Sequence, residues 1–176
     1  MKKQTVILLA ALVIMLSAAC SQQQTGSESL PESTGSVQIA NPWVDCVTLE
    51  DAARLAGFDI AIPGKFDGYP NRVIQAIEKT MIQVMYYDGD PDAEGSSRVM
   101  VRKGPGSDDI SGDYNEYSEK ETVNMHGVDV QLRGDKGLVY SAIWTWDGYS
   151  FAINADKGLS RDTLAAAIEE MVTVVG

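Results

Sequence analysis

Trp144-Thr145-Trp146-Asp147-Gly148-Tyr149-Ser150-Phe151-Ala152-Ile153 is the stretch on which the reading of the fold turns. An Asp-Gly pair between two segments rich in aromatic and β-branched residues is a strong short-range hairpin signal, because the favoured two-residue turn needs positive φ at both central positions. Beyond the turn, Tyr149, Phe151 and Ile153 alternate with Ser150 and Ala152. That period of two is the mark of an antiparallel strand with one buried face.

The same period runs upstream. Residues 73–79 and 81–87 are strand-like. In Arg98-Val99-Met100-Val101-Arg102 the valines face one way and the arginines the other. Val128, Val130 and Leu132 alternate with Asp129, Gln131 and Arg133. His126-Gly127 and Gly134-Asp135-Lys136-Gly137 supply two further turns. Connections this short favour sequential antiparallel pairing over parallel crossovers. Residues 107–119 are polar and acidic, and read as a loop or a short exposed helix.

Two helices bracket the strands. Thr48 is a good N-cap and Asp51, three residues on, closes a capping box; Leu49, Ala52, Ala53 and Ala56 form a stripe, and Gly57 is a natural stop. Near the end, Ser160 caps a helix with Asp162 in its first turn and Leu164, Ile168, Met171 and Val175 at helical spacing, broadened by Val172. The expected class is α+β: an antiparallel sheet of about six or seven strands, with an N-terminal and a C-terminal helix packed on one face.

The N-terminus is an address. Lys2 and Lys3 precede an uncharged, mostly apolar run over residues 5–19. It is shorter than the roughly 20 residues a membrane span requires, and reads as the apolar region of an export signal. Leu16-Ser17-Ala18-Ala19-Cys20 resembles the lipobox of bacterial lipoproteins. It departs from that pattern at Ser17, where the family usually has Leu; Leu16 lies one place further out. The resemblance implies cleavage before Cys20 and diacylglyceryl modification of its sulfur; ordinary secretory cleavage is the alternative. Two or three acyl chains on Cys20 would hold the protein durably on a membrane. Residues 20–36 are rich in Ser, Gln, Thr, Gly and Glu and cannot bury enough to offset their ordering entropy, so they read as a polar tether. The expected division is a signal over residues 1–19, the lipidated Cys and tether over 20–36, and one domain over 37–176.

A second resemblance rests on the hairpin quoted above and the helix start Leu159-Ser160-Arg161-Asp162. Together they resemble the C-terminal part of a family of uncharacterised extracytoplasmic domains in bacterial envelope lipoproteins, notably of Gram-positive anaerobes. The similarity runs from about Trp43 to the end and is least specific outside this block. It implies a curved antiparallel sheet packed on helices, and it carries no catalytic residues.

Composition excludes several functions. The chain has 14 Lys and Arg against 25 Asp and Glu, a net charge of -11. Loss of Lys2 and Lys3 with the signal leaves 12 against 25, near -13. That argues against nucleic acid as a partner and against electrostatic attraction to anionic lipid. With Cys20 acylated, Cys46 is the only free thiol and no intramolecular disulfide forms. Asp45, Glu50 and Asp51 beside it oppose a thiolate, so Cys46 reads as a small buried hydrophobe rather than a nucleophile. His126, the only histidine, sits in a turn and reads as solvated; one His cannot supply a His-only metal site. The acidic run Asp88 to Gly95 lacks the sixth-place Gly and twelfth-place Glu of an EF-hand, whose places hold Ala93 and Val99, and reads as a hairpin loop. No phosphate-binding, dinucleotide or nucleophile-elbow glycine pattern is present.

Tyr140, Trp144 and Trp146 alternate on one strand and so share a face. A row of rings can line a groove for a sugar, peptide or lipid; the competing reading, core beneath a helix, is the favoured one. The expectation is a non-enzymatic, lipid-anchored binding or interaction module on the extracytoplasmic face of the cell membrane, without cofactor or metal. In a diderm organism, Ser21 after the lipidated Cys permits outer-membrane sorting. Its partners are the membrane, through lipid on Cys20, and an unidentified protein or small molecule. Two alternatives stand beside it: a carrier or sensor of an apolar ligand held between sheet and helix, and an envelope hydrolase using paired carboxylates.

Overall fold

The alternating segments become a single eight-stranded antiparallel sheet in a computed structural model of the chain, which describes residues 41–173. The strands are β1 (Val44–Cys46), β2 (Asn71–Ile77), β3 (Met81–Tyr87), β4 (Arg98–Pro105), β5 (Glu119–Met125), β6 (Val128–Asp135), β7 (Leu138–Trp146) and β8 (Tyr149–Leu159). The helices are α1 (Leu49–Ala56) and α2 (Arg161–Thr173). The order across the sheet is β1-β2-β3-β4-β8-β7-β6-β5. These residues belong to one compact unit, Ala40–Gly176. Cys20, the expected export signal and tether, and Val175 lie outside the described residues. Among the described residues no helix is long and apolar enough to cross a membrane.

The count of eight corrects the expected six or seven, and the two strands without a sequence signal are the two edges. β1 is three residues long, and β5 (EKETVNM) has no buried residue. Edge strands are kept short or charged because an apolar edge would recruit further strands, and that erases the alternation by which inner strands are recognised. Helix placement is corrected as well. α1 does not lead the sheet but is inserted between β1 and β2, packing on β2, β3 and β1, while α2 packs on β5 and β7.

Local signals are otherwise obeyed. The Thr48 hydroxyl accepts from the Asp51 amide at 3.1 Å, and Gly57 ends α1 at φ 83°. The Ser160 hydroxyl accepts from the Thr163 amide at 3.1 Å. Asp147 and Gly148 (φ 51° and 77°), like His126 and Gly127 (49° and 88°), make tight hairpin turns with both residues at positive φ. The turn expected over residues 134–137 is narrower. Lys136 and Gly137 form it, whereas Gly134 is buried within β6 at a register irregularity. A Cβ at Gly134 would overlap the Leu138 carbonyl oxygen, which is why only Gly serves there.

One sheet face makes the core. Ile82, Val84, Val99, Val101, Val130 and Ile153 pack with Ala52 and Ala56 of α1 and with Leu164, Ala167, Ile168 and Met171 of α2. Full burial of such aliphatic side chains contributes about 1.5–3 kcal/mol each.

Strand order has one further consequence. β4 lies mid-sheet and β5 at the far edge, so residues 106–118 must travel across β8, β7 and β6. They do so on the face away from the helices, as their hydrogen bonds to Arg102, Asn154 and Arg133 show.

Candidate functional site

On the face away from the helices, three neighbouring strands set polar groups side by side. Arg98, Met100 and Arg102 project from β4. Asn154 of β8 pairs in register with Met100 and, on its other side, with Ser141 of β7. By strict alternation Tyr140 would project to the core. A register irregularity between Val139 and Ser141 turns it to this face instead, where it stacks on Tyr117 of the crossing segment with ring centroids 5.7 Å apart.

The crossing segment is held from below. Arg102 donates from Nη1 to the carbonyls of Ile110 and Ser111, both at 3.0 Å, and from Nε to Gln83 Oε1 at 3.0 Å. The Trp43 ring stacks on its guanidinium, 5.5 Å from the centroid. Asn154 Nδ2 donates to the same Ser111 carbonyl at 2.8 Å. Asp109 accepts from the Ser111 amide and hydroxyl and from Arg133 Nη2 at 2.9 Å. Ser111, a polar residue in an acidic stretch, is consequently only 1 % exposed. The segment is the expected loop, irregular and mostly exposed, and it is tied down to the sheet as a strap at Ser111.

Between strap and sheet lies a polar cleft of about 360 Å³, lined by Arg98, Arg102, Asp113, Tyr117, Tyr140 and Asn154 among others. Arg98 and Arg102 have no carboxylate within ion-pair distance among the described residues, and the two hydrogens on Arg102 Nη2 have no acceptor there. Burial, and after it the charge of Arg98, lowers the pKa of Arg102, though a guanidinium stays protonated throughout the working range. The Tyr117 hydroxyl donates to Asp113 Oδ2 at 2.8 Å, and burial followed by that carboxylate pushes its pKa up to about 12. Two buried oxygens, Asn154 Oδ1 and Ser141 Oγ, have no hydrogen-bond partner. Both atoms are closed off from solvent, so they lie beneath the cleft and not on its surface.

The aromatic row expected on one face is divided. Trp144 is 2 % exposed and stacks on Phe151 in the core, with its indole N–H buried and without an acceptor. Trp146 packs partly buried against the same core. Only Tyr140 reaches the cleft, because of the bulge. The space between sheet and helices near Trp146 and Phe151 is about 110 Å³ and holds Lys103. That ammonium donates to the Asp59 carbonyl at 2.8 Å and sits 4.1 Å from the Tyr149 ring centre; burial lowers its pKa against the pull of Asp59.

The remaining candidates stand apart from the cleft. Cys46 is half-buried in β1, and burial, then Asp51 and Asp45, raise its thiol pKa. His126 is exposed at a hairpin tip. Asp88 closes the β3–β4 loop, accepting from the Ser97 amide at 2.8 Å and pairing with Lys157 at 2.7 Å. Among the described residues no cluster of His, Cys, Asp or Glu is arranged to hold a metal ion. Among the described residues, the carboxyl groups with a shifted pKa, namely Asp51, Asp88, Asp109, Glu116 and Asp135, are shifted downward.

No family model matches this chain, and neither a curated protein nor a solved structure matches it. The cleft is therefore read on its own geometry.

Proposed function

We propose that this protein is a non-enzymatic binding module, anchored by lipid on Cys20 to the extracytoplasmic face of a bacterial membrane, with the strapped polar cleft as its ligand site. In this reading the sheet curves around its helix-covered side. The observation that carries the assignment of the site is Arg102. In a chain of net charge -11 a carboxylate partner would be easy to supply, yet this guanidinium is held on two carbonyls and an amide beneath a cleft. A guanidinium without an ion-pair partner, with its Nη2 hydrogens unused in a half-enclosed polar site, can still accept a ligand that provides the missing acceptor.

The two alternatives draw less support. An apolar carrier needs roughly 300 Å³ or more of apolar cavity, and the space between sheet and helices near Trp146 and Phe151 is about 110 Å³ and is lined by a lysine. A carboxylate hydrolase needs an acid with a raised pKa, and the shifted carboxyl groups all move the other way.

The test has two arms. Mass spectrometry of the membrane-extracted protein should show a diacylglyceryl group on Cys20; an unmodified chain beginning at Ser21 or later rejects the anchor. Thermal unfolding of the full chain with the low-molecular-weight fraction of an envelope extract should rise for the wild type and stay fixed for Arg98→Ala. A ligand at a hundred times its Kd adds about 2.7 kcal/mol. Equal shifts in both proteins reject the cleft as the site.

A further inference from the structure

Four polar side chains form a line across the sheet, one from each of β1, β2, β3 and β4. Asp45, Gln75, Gln83 and Arg102 are successive register partners. Each is bonded to the next. Arg102 Nε donates to Gln83 Oε1 at 3.0 Å, Gln83 Nε2 to Gln75 Oε1 at 2.5 Å, and Gln75 Nε2 to Asp45 Oδ1 at 2.7 Å. Burial grows inward from the rim. Asp45 is exposed, Gln75 is half-buried and Gln83 is 5 % exposed.

The two ends dictate the direction of the line. A carboxylate only accepts and a guanidinium only donates. Between them each glutamine must turn its oxygen toward Arg102 and its nitrogen toward Asp45, as both do. The amide dipoles then add head to tail and strengthen one another. Three strand spacings separate the ends, roughly 14 Å. That exceeds the screening length of roughly 8 Å at physiological salt, so any influence of Asp45 on Arg102 runs through the hydrogen bonds rather than through its field. At the inner end Arg102 holds the strap, with Nη1 on the Ile110 and Ser111 carbonyls. A Cβ at Gly112 would stand 2.9 Å from that Nη1, so the strap leaves the group little room to shift. Trp43, two residues before Asp45, stacks on the same guanidinium. The chain at β1 therefore reaches Arg102 by two routes, a ring and a line of amides.

We infer that Asp45 is a positioning residue for Arg102, and that the seat of the strap over the cleft is coupled through Gln75 and Gln83 to β1, the strand that follows residues 20–40 in sequence. The guanidinium is fixed with Nε on the line and Nη1 on the strap, which leaves Nη2 for the cleft. A displacement of β1 is then felt at the cleft, three strands away. The inference concerns how the cleft is set and does not depend on the ligand it takes.

Solvent exchange of the Arg102 Nε–H, followed by NMR in the purified full chain, tests the coupling. Asp45→Asn and Asp45→Ala remove the same charge from an exposed site, but Asn keeps an acceptor oxygen for Gln75 Nε2. The Arg102 Nε–H should exchange at least roughly threefold faster in Asp45→Ala than in Asp45→Asn, the size expected for one weakened hydrogen bond. The Ile153 amide, whose side chain lies in the helix-side core, should exchange alike in the two. In a Gln75→Leu background, where the line is cut, the two variants should no longer differ at Arg102. An Arg102 difference below roughly threefold, one matched at the Ile153 amide, or one that survives in Gln75→Leu overturns the inference.

Discussion

The two faces of the sheet are built from the same strands and obey different rules. On the helix side, Val99, Val101 and Ile153 are buried among aliphatic partners. On the strap side, Arg102, Asn154 and Ser111 meet through hydrogen bonds, and a cleft remains among them. Burial is deep on both sides, since Ser141 and Ser150 are as inaccessible as Ile82. The difference lies in what a loss costs. An apolar face loses contact area and opens a cavity, while a hydrogen-bonded face loses partners and leaves carbonyls unmet.

Mutations can break that comparison in order of size. Ile153→Ala on the helix side should cost about 2–5 kcal/mol in denaturant unfolding, through transfer and cavity terms together. A cost below about 1 kcal/mol would mean that the core face is not close-packed. Arg102→Leu on the other side should cost about 1–3 kcal/mol, because the Ile110 and Ser111 carbonyls lose their donor; a neutral result would show that water replaces the guanidinium and that the strap is held elsewhere. Gly134→Ala should also destabilise, by about 1–3 kcal/mol, since its Cβ would overlap backbone at the β6–β7 irregularity. If the Tyr117–Tyr140 stack loosens in the same variant, the bulge is what holds Tyr140 in the cleft; unchanged aromatic chemical shifts would separate the two.

The smallest expected effect is one of pH. Burial works to raise the Asp109 pKa, but the Ser111 hydroxyl and amide and the Arg133 guanidinium outweigh it, leaving it below the ordinary 3.8. A depressed acid contributes stability above its unfolded pKa and loses it as pH falls through the folded value. Amide exchange at Ser111 should thus quicken as pH drops below about 3.8 in the wild type, after correction for intrinsic rates, and show no such step in Asp109→Asn. The Ile153 amide should show no such step in either protein, because its side chain packs in the aliphatic core away from Asp109.

Much of the helix side was legible. Alternation in residues 98–102, 128–133 and 149–153 named the core residues, and Thr48, Gly57, Ser160 and Asp147-Gly148 fixed helix and hairpin ends through local hydrogen bonds and positive φ. The strap side was legible only as the polar half of the alternation. Arg98 and Arg102 were placed together on one face, with nothing to say that the face is covered. Residues 107–119 read correctly as an exposed loop, but composition does not report where that loop docks across the sheet. Tyr140 was misplaced because a bulge shifts parity by one, and a one-residue shift exchanges the two faces.

Local chemistry therefore determined what the sequence could determine: which inner segments are strands, where the chain turns, and which side of those strands is apolar. Those properties depend on neighbours a few residues away. Strand order did not, and it was strand order that sent residues 106–118 across the sheet from β4 to the far edge and laid them over Arg102 and Asn154. The cleft is a product of that long-range path, since its walls come from segments some 40 residues apart that meet only once the sheet has formed.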